Sequence, residues 1–328
     1  MVPYEPELAI VVQSLPKNPP LTKETVPVMR AAMQPMFTPE AVLSDPAIQH
    51  EERGTTGPNG EIKLTILRSK NSAGGPRPAI YYMHGGGMVF GSRFFGIDNT
   101  FEWIKQLDII LISVEYRLAP EFPNPAPVED CYAGLKWVGE HTFELGINPE
   151  KIMVAGHSAG GGLAAGTALL VRDRGGPKIC AQCLIYPMID DRMITPSSQQ
   201  HMVEGTWNGE ANIVAWDWLL DGKRGAKDVS IYAAPARATD LSGLPPAWID
   251  VGSAELFRDE NVAYASKLWE CGVQAELHVW EGAWHAFDIY APKAKISKVA
   301  LETRFAWIKR AFAGTETQSA PQRVPAVL

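Results

Sequence analysis

A chain of 328 residues can build one large domain or two ordinary ones, and 46% apolar with 20% charged residues is the composition of a soluble globular protein with a sizeable core. The net charge of −7 leaves no basic footprint for nucleic acid or an anionic membrane. No apolar run is long enough to span a bilayer, and the opening MVPYEPELAIVVQSLPKNPP lacks the cationic start and cleavage site of a secretory signal, so the expectation is a soluble, cytoplasmic protein without membrane insertion.

Residues 1–45 read as helical and proline-punctuated. From about residue 60 strand and helix signals alternate. EIKLTILRS alternates apolar and polar positions, as a half-buried strand does. PAIYYMHGGG and DIILISVEYRLAP are apolar runs stopped by glycine and proline. PAPVEDCYAGLKWVGEHTFELG has helical spacing, KIMVAGHS is a strand, and AGGGLAAGTALLVRDRG is a helix closed by glycine. ICAQCLIYPM, PAWIDVGS and AELHVWEGA are further strands, with helices in NVAYASKLWECG and SKVALETRFAWIKRAFAG. The alternation predicts an α/β fold with a largely parallel sheet, and the near-continuous apolar runs suit strands covered on both faces. The tryptophan-rich residues 191–235 break the rhythm, like 1–45, and both read as excursions over the core. The organisation expected is a cap part at 1–45, core at 46–190, a cap insertion at 191–235, core again at 236–313, and a mobile tail at 314–328.

Gly156-His157-Ser158-Ala159-Gly160 fits G-x-S-x-G, with a strand before it and a small-residue helix after it. That context puts a serine on a sharp turn, its hydroxyl displayed beside the N–H groups that open the helix. His84-Gly85-Gly86-Gly87 closes an earlier strand, and glycines there let backbone N–H groups face a developing oxyanion. Gly85, Gly86 and Ala159 are the expected donors, and His84 is read as a residue that fixes the loop. Of seven histidines, His285 lies in a glycine-containing loop after the last strand. It follows the serine in the order serine, acid, histidine, and is the candidate general base. The acid is sought among Asp250, Glu255, Asp259 and Glu260. Asp250 falls inside a strand, while Asp259 and Glu260 open a helix. Glu255, in the turn between, is the first choice and Asp259 the second. Cys180 and Cys183 form C-x-x-C within a strand and have no second Cys/His pair, which reads as core rather than redox or metal chemistry. Met88, Val89 and Phe90, with Trp207, Trp216 and Trp218, are candidates for an apolar acyl pocket, the alternative for the tryptophans being packing of the lid.

HGGGMVFGS, SVEYRLAPEFPNPAPVEDCYAGLKWV, GHSAGGGLA, YPMID, LSGLPPAWIDVGSAELFRDE and GAWHAF together resemble the hormone-sensitive-lipase-like esterases of the α/β-hydrolase fold, over about residues 60–310. The resemblance implies an eight-stranded, mostly parallel sheet flanked by helices under a helical cap. It implies a carboxylesterase acting on short- to medium-chain acyl esters through Ser158, Glu255 and His285, with no metal or organic cofactor, as a possible homodimer. Two departures stand out: glutamate at 255 where the family usually has aspartate, and His157 where it commonly has aspartate. The alternatives are an amidase or deacetylase with the same triad, and a non-catalytic small-molecule receptor on the same scaffold. Retention of all three triad residues argues against the receptor.

Overall fold

The computed structural model describes residues 2–16 and 19–314. The tail expected to be mobile, apart from Gly314, lies outside them. Eight strands form one sheet: β1 Ile48–Gly57, β2 Gly60–Ser69, β3 Arg77–Met83, β4 Ile110–Val114, β5 Ile147–His157, β6 Ala181–Ile185, β7 Ala247–Gly252 and β8 Ala275–Trp280. Their spatial order is β1-β2-β4-β3-β5-β6-β7-β8. β2 runs antiparallel to β1 and β4, and every other pair is parallel. Each residue of β4, β6 and β7 is buried, as expected of strands covered by helices on both faces. Cys183 is one of them.

The main covering helices are Ala126–Glu140, Ala159–Arg174, Arg258–Glu270 and Lys295–Ala313. Parallel strands fed by crossover helices end at one common edge, where ligands bind in open α/β sheets. The segments after β3, β5, β7 and β8 carry Gly85, Ser158, Glu255 and His285 respectively, so the sheet alone brings these distant residues to one edge.

Two elements within the core show why parts of the fold escape the sequence reading. β1 is a polar edge strand in which only Ile48 and Thr55 are buried, so its composition resembles a loop. The helix Phe101–Leu107 is under two turns long, too short for a periodic signal.

The segments outside the alternating rhythm rest on the loops at the same edge. In the helix Pro6–Ser14, Leu8 packs with Trp284 and Phe287 and its carbonyl accepts the Trp284 indole N–H. Arg30, from the helix Thr25–Met33, bonds the Val89 and Ala119 carbonyls. The helix Gly209–Leu219, capped by Asn208, buries Trp216 completely. No helix among the described residues is long and apolar enough to cross a membrane.

Candidate active site

Ser158 sits at φ 56°, ψ −123°, outside the regions favoured by residues with a Cβ. The strain is held from several sides. Its N–H donates to the Ile185 carbonyl, and its carbonyl accepts from Gly162 and Met188. The two glycines of the motif are required by close approach: a Cβ on Gly156 would lie 2.3 Å from the Gly160 carbonyl oxygen, and one on Gly160 would lie 2.0 Å from that of Met83. Packing that dense turns the chain sharply and leaves the hydroxyl at the strand end.

His285 reaches that hydroxyl, with Nε2 2.9 Å from Ser158 Oγ. Its Nδ1 lies 2.5 Å from Glu255 Oε2, and Glu255 Oε1 accepts the Gly252 N–H at 2.9 Å. All three side chains are buried. Tyr186 and Phe257 meet the imidazole edge-on, each with its centroid 5.0 Å away. Thr206, from the insertion, donates its hydroxyl to the His285 carbonyl. The other acid candidates are engaged elsewhere. Asp259 accepts the Ser197 N–H and pairs with Arg258, Asp250 pairs with Arg304, and Glu260 accepts the N–H groups of Ile189 and Asp190. Burial holds the Glu260 carboxyl well above the usual carboxylate range.

On the opposite side of Ser158 lies the glycine loop. His84 stacks on Tyr116, whose hydroxyl donates to the His84 carbonyl at 2.7 Å, and burial pushes the His84 imidazole pKa down. Gly86 and Gly87 have φ of +111° and +64°, and a Cβ on Gly86 would fall 2.3 Å from the Phe90 carbonyl oxygen. Gly85 requires a correction to the sequence reading: its N–H donates to His157 Nε2 at 3.2 Å and is not free for a ligand. Among the described residues the N–H groups of Gly86, Gly87 and Ala159 meet no protein acceptor, so the free donors begin one residue later than expected.

The apolar-pocket expectation is corrected for Met88 and Val89. They are 1% and 0% exposed, and a side chain that water cannot touch does not line an open pocket. Met88, at φ 62°, instead turns into the core towards Gly162, and its carbonyl accepts the Ala119 N–H. Trp216 packs the insertion onto the core. Trp207 lies against the glycine loop. Its ring lies so close over Gly87 that a Cβ there would be 2.2 Å from it, and its indole N–H is fixed by Asn212 at 3.0 Å. Arg30 and Thr206 carry no local motif, and sequence reasoning missed both.

With this geometry the chain belongs to the α/β hydrolase fold family, in its hormone-sensitive-lipase-like branch: the family's profile matches residues 80–289. Carboxylesterase NlhH of Mycobacterium tuberculosis is 34% identical, over 94% of this chain and 97% of that protein. Among solved structures, bacterial heroin esterase superposes with a TM-score of 0.86 at 37% identity, covering 94% of this chain and 98% of its own. Esterase LipW from Mycobacterium marinum gives a TM-score of 0.86 at 31% identity, covering 95% and 96%.

Proposed function

We propose that the chain is a serine carboxylic-ester hydrolase that cleaves short- to medium-chain acyl esters through a Ser158–His285–Glu255 triad and a covalent acyl-enzyme. The single observation that carries the reading is His285, within hydrogen-bond reach of the serine hydroxyl on one ring nitrogen and of a buried carboxylate on the other. The similarity to named esterases supports the class.

His285 Nε2 takes the hydroxyl proton as Ser158 Oγ bonds to the ester carbonyl carbon. Glu255 holds the proton on Nδ1, which leaves Nε2 free to act as base, and stabilises the imidazolium that forms. The carbonyl oxygen becomes an oxyanion, received by the N–H groups of Gly86, Gly87 and Ala159. His285 then returns the proton to the leaving alcohol. Water, deprotonated by the same nitrogen, attacks the acyl carbon, and as the bond to Ser158 Oγ breaks His285 gives the proton back to that oxygen and the acid leaves. Residues 1–45 and 191–235 act as the cap, and Trp207, fixed over Gly87, walls the acyl space and favours shorter chains. The four free thiols support a cytoplasmic setting.

The test is an acyl series of p-nitrophenyl esters from acetyl to decanoyl, each beside its matched anilide. The expected result is a maximum at short or medium chains, anilides cleaved far more slowly, and fluorophosphonate labelling that Ser158→Ala abolishes. Anilides cleaved as fast as esters would assign an amidase instead. A wild-type protein that takes no label would end the hydrolytic reading.

A further inference from the structure

His157 adjoins the nucleophile, and its side chain turns away from the serine hydroxyl to lie behind the glycine loop. It is 3% exposed, and both ring nitrogens have partners: Tyr82 Oη is 2.7 Å from Nδ1, and the Gly85 N–H points at Nε2 from 3.2 Å. A backbone N–H can only donate, so Nε2 must offer a lone pair. A neutral imidazole carries one proton, which therefore sits on Nδ1 and is donated to Tyr82 Oη. The opposite tautomer, or an imidazolium, would set two N–H groups against each other at Gly85.

The surroundings enforce that state. A Cβ on Gly85 would lie 2.6 Å from His157 Nε2 and one on Gly96 would lie 3.1 Å from Cε1, so the ring is clamped between two glycines. Phe95 meets it edge-on at 5.1 Å, and Tyr186 closes the far side at 6.4 Å. Tyr82 is a buried phenol whose pKa is raised by that burial. Tyr82 and Tyr186 are the ionisable side chains packed against the ring, and His84, His285 and Arg304 each act against a proton on it. Burial, with their help, pushes the imidazole down to about 3.

We propose that His157 is a positioning residue for the oxyanion loop: as the neutral Nδ1–H tautomer it holds the Gly85 N–H, and thereby aims the next two N–H groups, of Gly86 and Gly87, at the carbonyl oxygen attacked by Ser158. This deepens the ester-hydrolase reading and rests on it. The peptide that carries the Gly85 N–H is tied at both ends, by His157 at the N–H and by the Tyr116 hydroxyl at the His84 carbonyl, and the glycines add no side-chain packing to these bonds. Without an acceptor behind Gly85 that peptide is held at its carbonyl end alone, and the donors that follow lose part of the preorganisation on which oxyanion stabilisation depends.

The test compares full-length wild type with His157→Gln, whose carbonyl can accept from Gly85, and His157→Phe, a ring with no lone pair. Hydrolysis of p-nitrophenyl butyrate and inhibition by a phenyl trifluoromethyl ketone, which forms a tetrahedral adduct with the serine, are read together. His157→Phe should lose about 10²-fold in kcat with KM changed by less than about threefold, and ketone binding should weaken in parallel. His157→Gln should recover at least about tenfold of that loss. Long-range 1H–15N spectra of the wild type should show His157 protonated at Nδ1 and unchanged across about pH 5–8, where an ordinary histidine titrates. Full kcat in His157→Phe, a glutamine variant no better than phenylalanine, or an Nε2–H tautomer would each overturn the proposal. If His157→Phe does not fold, the glutamine variant and the spectrum decide. A wild type that takes the fluorophosphonate label while any of these results fails sinks the His157 proposal alone. An unlabelled wild type sinks the hydrolase reading with it.

Discussion

The loop that carries His285 and the loop that carries Gly86 and Gly87 face each other across Ser158, and they are fixed by different forces. Behind His285 stands a buried ionic network. Asp288 accepts from the Tyr186 hydroxyl at 2.8 Å and from Arg304 at 2.9 Å, and Arg304 reaches back to Asp250 at 2.7 Å. Asp250, Asp288 and Arg304 are each 3% exposed or less. Among the described residues no buried charged side chain is hydrogen-bonded to the glycine loop. The holding bonds come from His157, from the Tyr116 hydroxyl, from backbone amides and, at the rim, from Arg30. The chemistry accounts for the contrast. In the proposed mechanism the base gains and loses a full charge in each cycle and needs a frame that does not yield to it, which charge-assisted bonds provide. In the same proposal the notch stabilises an anion with N–H dipoles alone, and a fixed carboxylate behind it would work against that anion.

The largest expected effect lies on the charged side. Glu255→Gln keeps the shape of the side chain, but its amide donates to Nδ1 and drives the imidazole proton to Nε2, where it blocks the serine. kcat with p-nitrophenyl butyrate should fall by about 10³–10⁴ while the melting temperature barely moves. A fall below about tenfold would show that Glu255 does not orient the base, and would send the search back to Asp259. Next is Arg304→Met, which leaves Asp250 and Asp288 buried without their cation. Urea denaturation should report a loss of about 3–5 kcal/mol. A loss below about 1 kcal/mol would mean that apolar packing rather than charge holds the His285 loop, and would erase the contrast drawn above.

The sequence and the structure agree most closely where function is built into local backbone geometry. The serine elbow and the glycine loop need glycines at fixed offsets from a strand end, and that requirement is written within a few residues of Ser158 and His84. Glu255 had to be chosen among four nearby carboxylates by its place in a turn, a weaker signal. The donor register was misjudged by one residue because a run of three glycines does not say which N–H the structure will occupy; the answer lies with His157, 72 residues further on. Arg30, Thr206 and Arg304 act through partners 59, 79 and 54 residues away, and no local pattern marks such contacts. Met88 and Val89 show the complementary error. Beside an oxyanion loop an apolar residue can face substrate or core, and only the fold decides.

On the neutral side the predicted effects are smaller. In the unfolded chain His157 titrates near its ordinary value, whereas in the fold it is held at about 3. Between those two values the unfolded state binds the proton and the folded state does not, so stability falls as the pH drops below about 6.5. At pH 5 this one group should cost about 2 kcal/mol relative to neutral pH. His157→Gln should remove that share of the acid sensitivity, measured as the difference in unfolding free energy between the two pH values. His84, also pushed down by burial, should keep part of the slope. An unchanged slope would mean that His157 is protonated in the fold.

Arg30 gives the finest discrimination. Its Nε donates to the Val89 carbonyl at 2.8 Å and Nη2 to that of Ala119 at 2.7 Å, and the guanidinium also pairs with Glu121. The Glu121 side chain is 50% exposed, so the ion pair itself contributes little. The carbonyl bonds matter more, because Val89 and Phe90 both donate to Gly86 and thereby close the turn that presents the free N–H groups. Arg30→Met should lower kcat/KM about tenfold and shift the melting temperature by no more than about 3 °C, whereas Glu121→Gln should leave both near wild type. Equal losses in the two variants would assign the effect to the surface charge pair. A loss confined to Arg30→Met would trace it to the carbonyl bonds that join the N-terminal helix to the oxyanion loop.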